Sequence, residues 1–292
     1  MHLRRWVIAC GLTLSAPLQA RAQTGLLVAA HGAGPEWNAL VRQAVERVRW
    51  TEGPVSTAFL MGDEAESSGW DAAVARLTAQ SVRSIVVVPL MVQSAGSHYR
   101  QVRYYAGELD AMPAGLAGHD HRSSLSPSAR VPIRVTAALD TAPEFGAALR
   151  DFWQSLSLAD RRRPLLLVAH GPERDDEAAL WMSALGRFAA DIAKEGGVPA
   201  AVGLLRDDAE PAVRAGAVRA MRESVSGMIE HGADSVTVLP VLISNSGIAR
   251  VTIPKDLAEL PVSYHPVALA TSPHMSRWIE RVAREALAAP AH

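Results

Sequence analysis

Two histidines stand where a metal ion can be held. His31 ends the apolar run Leu26-Leu27-Val28-Ala29-Ala30 and is followed by Gly32. His98 closes Ser94-Ala95-Gly96-Ser97-His98, shortly after a second apolar run, Ile85-Val86-Val87-Val88-Pro89-Leu90. Neutral imidazole binds divalent cobalt, iron, nickel and zinc, and it can also accept a proton near neutral pH. An ion held by only two imidazoles keeps positions open for water or substrate. The same positions also suit a strand-end histidine bonded to backbone and a surface histidine, so spacing alone leaves both readings open.

Other groups are weaker candidates. Glu64 and Glu66 follow the second apolar run and suit proton removal or metal delivery, although exposed loop carboxylates are the simpler reading. Arg100 and Arg103 follow His98 and can meet substrate carboxylates, or form a solvated helix face. His274 sits at an expected helix start and reads as structural. His119 and His121, in Gly118-His119-Asp120-His121, fall in the Gly-, Ser- and Pro-rich segment from Pro113 to Arg130. They can catch a metal there or be incidental; a long loop of this kind is a lid, a binding loop or disordered.

The elements that must position these groups come in two copies. Leu26–Gly32 recurs as Leu166-Leu167-Val168-Ala169-His170-Gly171. Ile85–Leu90 recurs as Val236-Thr237-Val238-Leu239-Pro240-Val241, and Ala138–Pro143 recurs as Ala268-Leu269-Ala270-Thr271-Ser272-Pro273. Three blocks in the same order predict duplicated halves. Apolar runs predict strands at 25–30, 55–60, 84–92 and 131–137, then at 164–169, 200–205, 235–243 and 262–268. Helical periodicity predicts helices between them, including one from about Arg100 to Ala111. In the second half the helices centre on Trp181–Phe188, Val218–Ile229, a short Pro254–Leu260, and Trp278–Ala286. This alternation predicts an α/β fold: two tandem halves, each a four-stranded parallel sheet with helices on both faces. In strand order 2-1-3-4, strands one and three are neighbours at the switch point. His31 and His98 then converge where such a sheet binds ligands. The expected division is 1–22, 23–160 and 161–292, with the charged stretch Leu158 to Arg163 between the halves.

An apolar strand ending in His-Gly, a Val-Pro-Leu strand, a Gly-x-His after it and an Ala-Leu-x-x-x-Pro block resemble the class II tetrapyrrole chelatases. These are the sirohydrochlorin cobaltochelatases and ferrochelatases, here in their long two-repeat form. The resemblance spans most of residues 25 to 287. It implies a chelatase-type fold and insertion of Co²⁺ or Fe²⁺ into a dianionic tetrapyrrole without ATP, with Ni²⁺ or Zn²⁺ as further candidates. It assigns the metal site to His31 and His98; imidazole chemistry then makes His31 the expected metal ligand and proton acceptor, with His98 the second ligand. The chain departs from the family where Ser often follows His-Gly: here stand Ala33 and Pro172. The second half keeps His170 but has Gly247-Ile248-Ala249 where its second histidine is expected. That half is therefore expected to lack a complete site, with His170 vestigial or a third contributor.

The start of the chain raises a question of compartment. Met1-His2-Leu3-Arg4-Arg5, an apolar stretch from Trp6 to about Leu18, and Ala20-Arg21-Ala22 read as a signal peptide cleaved after Ala22. A lipoprotein box at Cys10 is a poorer fit because too few apolar residues precede it, and an uncleaved anchor is the other alternative. Cleavage removes the only cysteine, and losing three arginines takes the net charge from −1 to −4. The mature chain, expected in the periplasm, must then bind metal through histidine and oxygen. No later segment is long and apolar enough to span a membrane.

The 292 residues, 49% hydrophobic and 20% charged, exclude a disordered or disulfide-stapled class, and near-neutral charge gives no nucleic-acid argument. Only two cations, Lys194 and Lys255, are lysine, which reads as coding-sequence bias. No phosphate loop or G-x-S-x-G elbow is present. A histidine phosphatase needs Arg directly before its histidine, and Ala30 stands there. The remaining alternative to a chelatase is a non-enzymatic periplasmic binder of a metal ion or tetrapyrrole.

Overall fold

Every residue of the first strand, Thr24–Ala30, is buried, and its side chains divide by alternation between two cores. Leu26, Val28 and Ala30 face one cluster; Leu27 and Ala29 face another. This is why the strand reads as an unbroken apolar run: helices cover both sheet faces.

The computed structural model describes residues 23–113, 116, 131–245 and 247–290. The first half runs β1 (Thr24–Ala30), α1 (Pro35–Glu46), β2 (Val55–Phe59), α2 (Ala65–Ser68), α3 (Trp70–Thr78), β3 (Ser84–Pro89), α4 (Ser97–Tyr105), β4 (Ile133–Val135) and α5 (Pro143–Gln154). After the short α6 (Leu158–Arg161) come β5 (Leu165–Ala169), α7 (Asp175–Gly196), β6 (Ala200–Leu204), α8 (Pro211–Glu230) and β7 (Val236–Val241). A π turn (Ile248–Thr252) then runs into α9 (Ile253–Asp256), followed by β8 (Val262–Tyr264), a 3-10 turn (Leu269–Thr271) and α10 (Pro273–Ala288). The strands form two four-stranded sheets ordered β2-β1-β3-β4 and β6-β5-β7-β8. All six strand pairs are parallel. The expected fold class and strand order are those observed.

The two halves share their largest core. The inner faces of β1 and β5 bury Leu26, Val28, Leu165 and Leu167 in the same cluster as Phe145, Phe188, Trp181 and Trp278. Phe145 of α5 and Phe188 of α7 meet edge-on with ring centroids 4.9 Å apart. The last helix, α10, crosses back to pack on β3 and α5. Arg281 of α10 grips Glu144 with two hydrogen bonds of 2.6 and 2.8 Å. Arg134 of β4 donates to the carbonyls of Ala289 and Pro290, which follow α10. The outer faces are covered separately, by α3 and α4 on the first sheet and by α8 and α9 on the second.

Several boundaries differ from the sequence expectation. β3 and β7 end at Pro89 and Val241, because beyond them the chain turns into the crevice. β4 is only three residues long because it pairs with Ile85–Val87 alone. Helix α4 begins at Ser97 rather than Arg100, so His98 lies in its first turn and not in the preceding loop. The charged stretch before β5 is pinned rather than free. Asp160 of α6 accepts hydrogen bonds from Ser157 Oγ (2.6 Å) and Ser263 Oγ (2.8 Å), which hold its carboxyl down to about 2. Residues 1–22, His119 and His121 lie outside the described residues. Among the described residues no helix is long and apolar enough to cross a membrane.

Candidate metal centre

The carboxyl ends of both sheets open on one cavity of about 340 Å³. His31 leaves β1, Leu90–Gln93 leave β3, His170 leaves β5, Asp208 follows β6, and Leu242–Ser244 leave β7. This is the crevice that topology predicts for an open parallel sheet, here closed by a second sheet.

His31 is held by its own turn. Its carbonyl accepts from Met61 N–H at 2.8 Å, continuing the β1–β2 ladder. Gly32 takes φ +85°, and the imidazole Nδ1–H donates to the Gly32 carbonyl at 2.7 Å. That bond fixes the tautomer and puts the ring lone pair on Nε2. His98 is held in the same way by a side chain. Its Nδ1–H donates to Gln101 Oε1 at 2.9 Å, and the buried Gln101 donates onward to Tyr105 Oη at 2.9 Å. A second partner on the far nitrogen is the usual device for orienting a metal-binding imidazole. The segment leading to His98 is tied down by Asp140, which accepts from both Ser94 N–H and Ser94 Oγ–H at 2.6 Å.

The two imidazole rings lie 4.4 Å apart, nearly perpendicular. Burial, and next the neighbouring His98, push His31 down to about 4. The ring is therefore neutral at physiological pH, the form a metal ligand needs. Among the described residues no group of three or more His, Cys, Asp or Glu side chains is placed to hold an ion together. The pair can supply two nitrogens and leave the remaining positions to solvent or substrate.

The His31 shift carries a stability cost with a definite sign. The unfolded imidazole protonates near its ordinary 6.5, the folded one only near about 4. Between these values the unfolded chain binds more protons, so stability falls as pH drops from 6.5 towards 4 and levels off below. At 1.36 kcal/mol per unit, the full loss is about 3 kcal/mol. Urea unfolding of metal-free protein across this range should therefore show a steeper decline than the His31→Asn variant. Equal slopes would remove the buried-neutral assignment.

The other sequence candidates lie elsewhere. Glu64 accepts from Asn38 Nδ2 at 2.9 Å and pairs with Arg42, so its carboxyl is held below its ordinary value and tied to α1. Glu66 is exposed. Arg100 pairs with the buried Glu177 of α7, and Arg103 with Glu108 at 2.8 Å. Both arginines are thus engaged with carboxylates of this chain. His274 bonds Asp151 at 3.0 Å in the first turn of α10, a structural contact. His170 does line the cavity, from the opposite half.

Further cavity residues escaped the sequence reading. Trp37 lies beside His31, with centroids 6.2 Å apart. Trp181 donates its indole N–H to the Ala95 carbonyl at 2.6 Å, fastening α7 to the segment that carries His98. Tyr99, Glu173 and Asp208 line the cavity as well. Asp208 had a signal in the repeat: it follows β6 as Asp63 and Glu64 follow β2, one half earlier.

A CbiX family model matches residues 25–155. No match is found among curated protein sequences. Among solved structures, SirB from Bacillus subtilis with Fe³⁺ superposes with a TM-score of 0.61 at 15% identity, covering 91% of this chain and 96% of that one. The sirohydrochlorin chelatase SirB from Bacillus subtilis subspecies spizizenii, in complex with cobalt, gives 0.59 at 14% identity over 90% and 95%. CbiX, described as the terminal enzyme for biosynthesis of siroheme in denitrifying bacteria, gives 0.55 at 17% identity over 91% and 100%. The first half thus resembles the CbiX family over residues 25–155, and the two-sheet fold of these chelatase structures is shared along nearly the whole chain.

Proposed function

We propose that this protein inserts a divalent metal ion, Co²⁺ or Fe²⁺, into sirohydrochlorin or a closely related tetrapyrrole, with His31 and His98 holding the incoming ion. One observation carries the reading: two imidazoles 4.4 Å apart, one at the end of β1 and one in the first turn of α4, each with Nδ1 committed to an acceptor, in an apolar-walled cavity. Trp37, Leu90, Val92, Ile243 and Ile248 supply flat and aliphatic surface for a macrocycle. The open positions on a two-ligand ion are the ones pyrrole nitrogens must occupy during transfer. Nickel and zinc fit the same donors, so the choice of metal is read from turnover.

The test is absorbance-monitored insertion: protein, sirohydrochlorin and Co²⁺ or Fe²⁺, against the spontaneous rate. Acceleration is the expected result. Stoichiometric metal or tetrapyrrole binding without acceleration would convert the reading to a non-enzymatic binder. The proposal extends to compartment. Residues 1–22 are read as an export leader, so protein recovered from the cell envelope should have a mass starting at Gln23. An intact Met1 in a soluble intracellular fraction would overturn export.

A further inference from the structure

Of the two metal-holding residues, His98 depends on both halves of the chain. His31 follows directly from β1, and its carbonyl continues the ladder to β2. His98 instead comes after Gly96, which is extended with φ 178° and where a Cβ would touch nothing within 4 Å. Packing around that link therefore does not set where α4 begins. The core face of α4, with Val102 and Tyr105, lies on the outer side of the first sheet. Its first turn meets the second half.

Two side chains of α7 reach across to that turn. Trp181 Nε1–H donates to the Ala95 carbonyl at 2.6 Å, three residues before His98. The buried carboxylate of Glu177 accepts a hydrogen bond and ion pair from Arg100, two residues after His98. Glu177 and Trp181 are four residues apart, so they lie one turn from each other on the same face of α7. Behind them Leu185, Phe188 and Ile192 set the helix in the core that both halves share. His98 is thus gripped on either side by one helix of the other half. The matching contact across the cleft is weaker. Glu36 of α1 meets Arg250 of the π turn at 2.9 Å, but these side chains are 76% and 54% exposed, against 9% for Glu177. Exposed pairs contribute little, whereas a buried carboxylate requires its cation. The buried grip falls on the turn that carries His98. The exposed one falls on the turn that carries Ala249, its counterpart in the repeat.

We propose that α7 is the positioning helix of the metal centre: Glu177 and Trp181 hold the His98 turn at the separation from His31 that an ion needs. The inference rests on the reading of His31 and His98 as the metal site. It gives the second half a task other than that of a second site. Both residues act through the segment that carries His98, not as ligands.

The experiment uses the full, metal-free chain in two measurements. Co²⁺ titration, followed by the ligand-field absorption of the bound ion, reads the site; urea unfolding reads stability. Glu177→Gln and Trp181→Phe should each weaken Co²⁺ binding about 10-fold and shift the ligand-field bands. Glu177→Gln also leaves Arg100 without its counter-charge and should lower stability. Replacing both residues of the pair, Arg100→Met with Glu177→Met, removes the charges together, so stability should recover. Co²⁺ affinity should stay low in that double variant, because flexible methionines do not fix the turn. Glu36→Gln, which breaks only the exposed pair, should bind Co²⁺ as the unaltered protein does. Unaltered affinity and bands in Trp181→Phe and in the double variant would reduce α7 to a source of stability and overturn the proposal. Equal weakening in Glu36→Gln would overturn it too, by showing a loosened interface in place of a specific grip. Failure of the metal-site reading looks different: His31→Ala and His98→Ala would then bind Co²⁺ like the unaltered protein, and α7 would have no site to position.

Discussion

Replacing His31 or His98 with alanine should weaken Co²⁺ binding by at least about 10²-fold and reduce metal insertion by at least as much. The lower bound follows from the next layer out, where loss of an orienting partner typically costs 10–100-fold in metal affinity. Gln101→Leu supplies that comparison within one site. It removes the acceptor that orients His98 Nδ1–H and leaves both imidazoles present. Its effect should be real but smaller than that of either histidine variant. Calorimetric Co²⁺ titration of the three variants gives the ranking directly. If His31 were only a strand-end residue bonded to backbone and His98 only a surface residue, all three would bind as the unaltered protein does. That outcome would remove the metal site and leave an apolar cleft.

The first strand explains how much of this was legible in the sequence. An apolar run ending at His31-Gly32 is recognisable because burial on both sheet faces leaves no polar position inside it. The repeat located the second sheet, and strand order placed His31 and His98 on neighbouring strand ends. The fine position of His98 was not legible. Gly96 is extended, with φ 178°, and the helix starts immediately after it, three residues sooner than periodicity suggests. Arg100 then falls in that helix against buried Glu177 instead of meeting a substrate. The pairing of His170 with Asp208, and their place in the first half's cavity, depend on how the two sheets face one another. Alternation and periodicity describe one element against its own core, and they carry no information about which strand ends oppose each other across a shared cleft. The acidic residue was sought after β2, where Glu64 turned out to be tied to Asn38 and Arg42. One cavity carboxylate, Asp208, came from the corresponding turn of the other repeat.

The glycine after each strand-end histidine separates the two halves energetically, and here the second large effect is expected. Gly32 has φ +85°, a region that costs a residue with a Cβ about 1–3 kcal/mol in backbone strain alone. A Cβ at that position would also lie 2.4 Å from the Met61 carbonyl oxygen and 2.8 Å from Phe59 Cβ. Neither neighbour can step aside cheaply, because the Met61 N–H is bonded to the His31 carbonyl and Phe59 is fully packed at the end of β2. Gly171 is also at positive φ, +74°, but its Cβ would meet side-chain atoms only, with Leu204 Cβ at 2.9 Å and Arg206 Cγ at 3.3 Å. Gly32→Ala should therefore destabilise the protein by about 3 kcal/mol or more, and Gly171→Ala by roughly 1–2 kcal/mol, in denaturant unfolding. Relief of the first clash must move the turn that carries His31, whose ring is bonded to the Gly32 carbonyl. Metal affinity should accordingly fall with stability in Gly32→Ala and persist in Gly171→Ala. Equal losses in the two variants would mean that the strand-end turns are interchangeable, and that the first half's claim on the metal rests on its histidines alone.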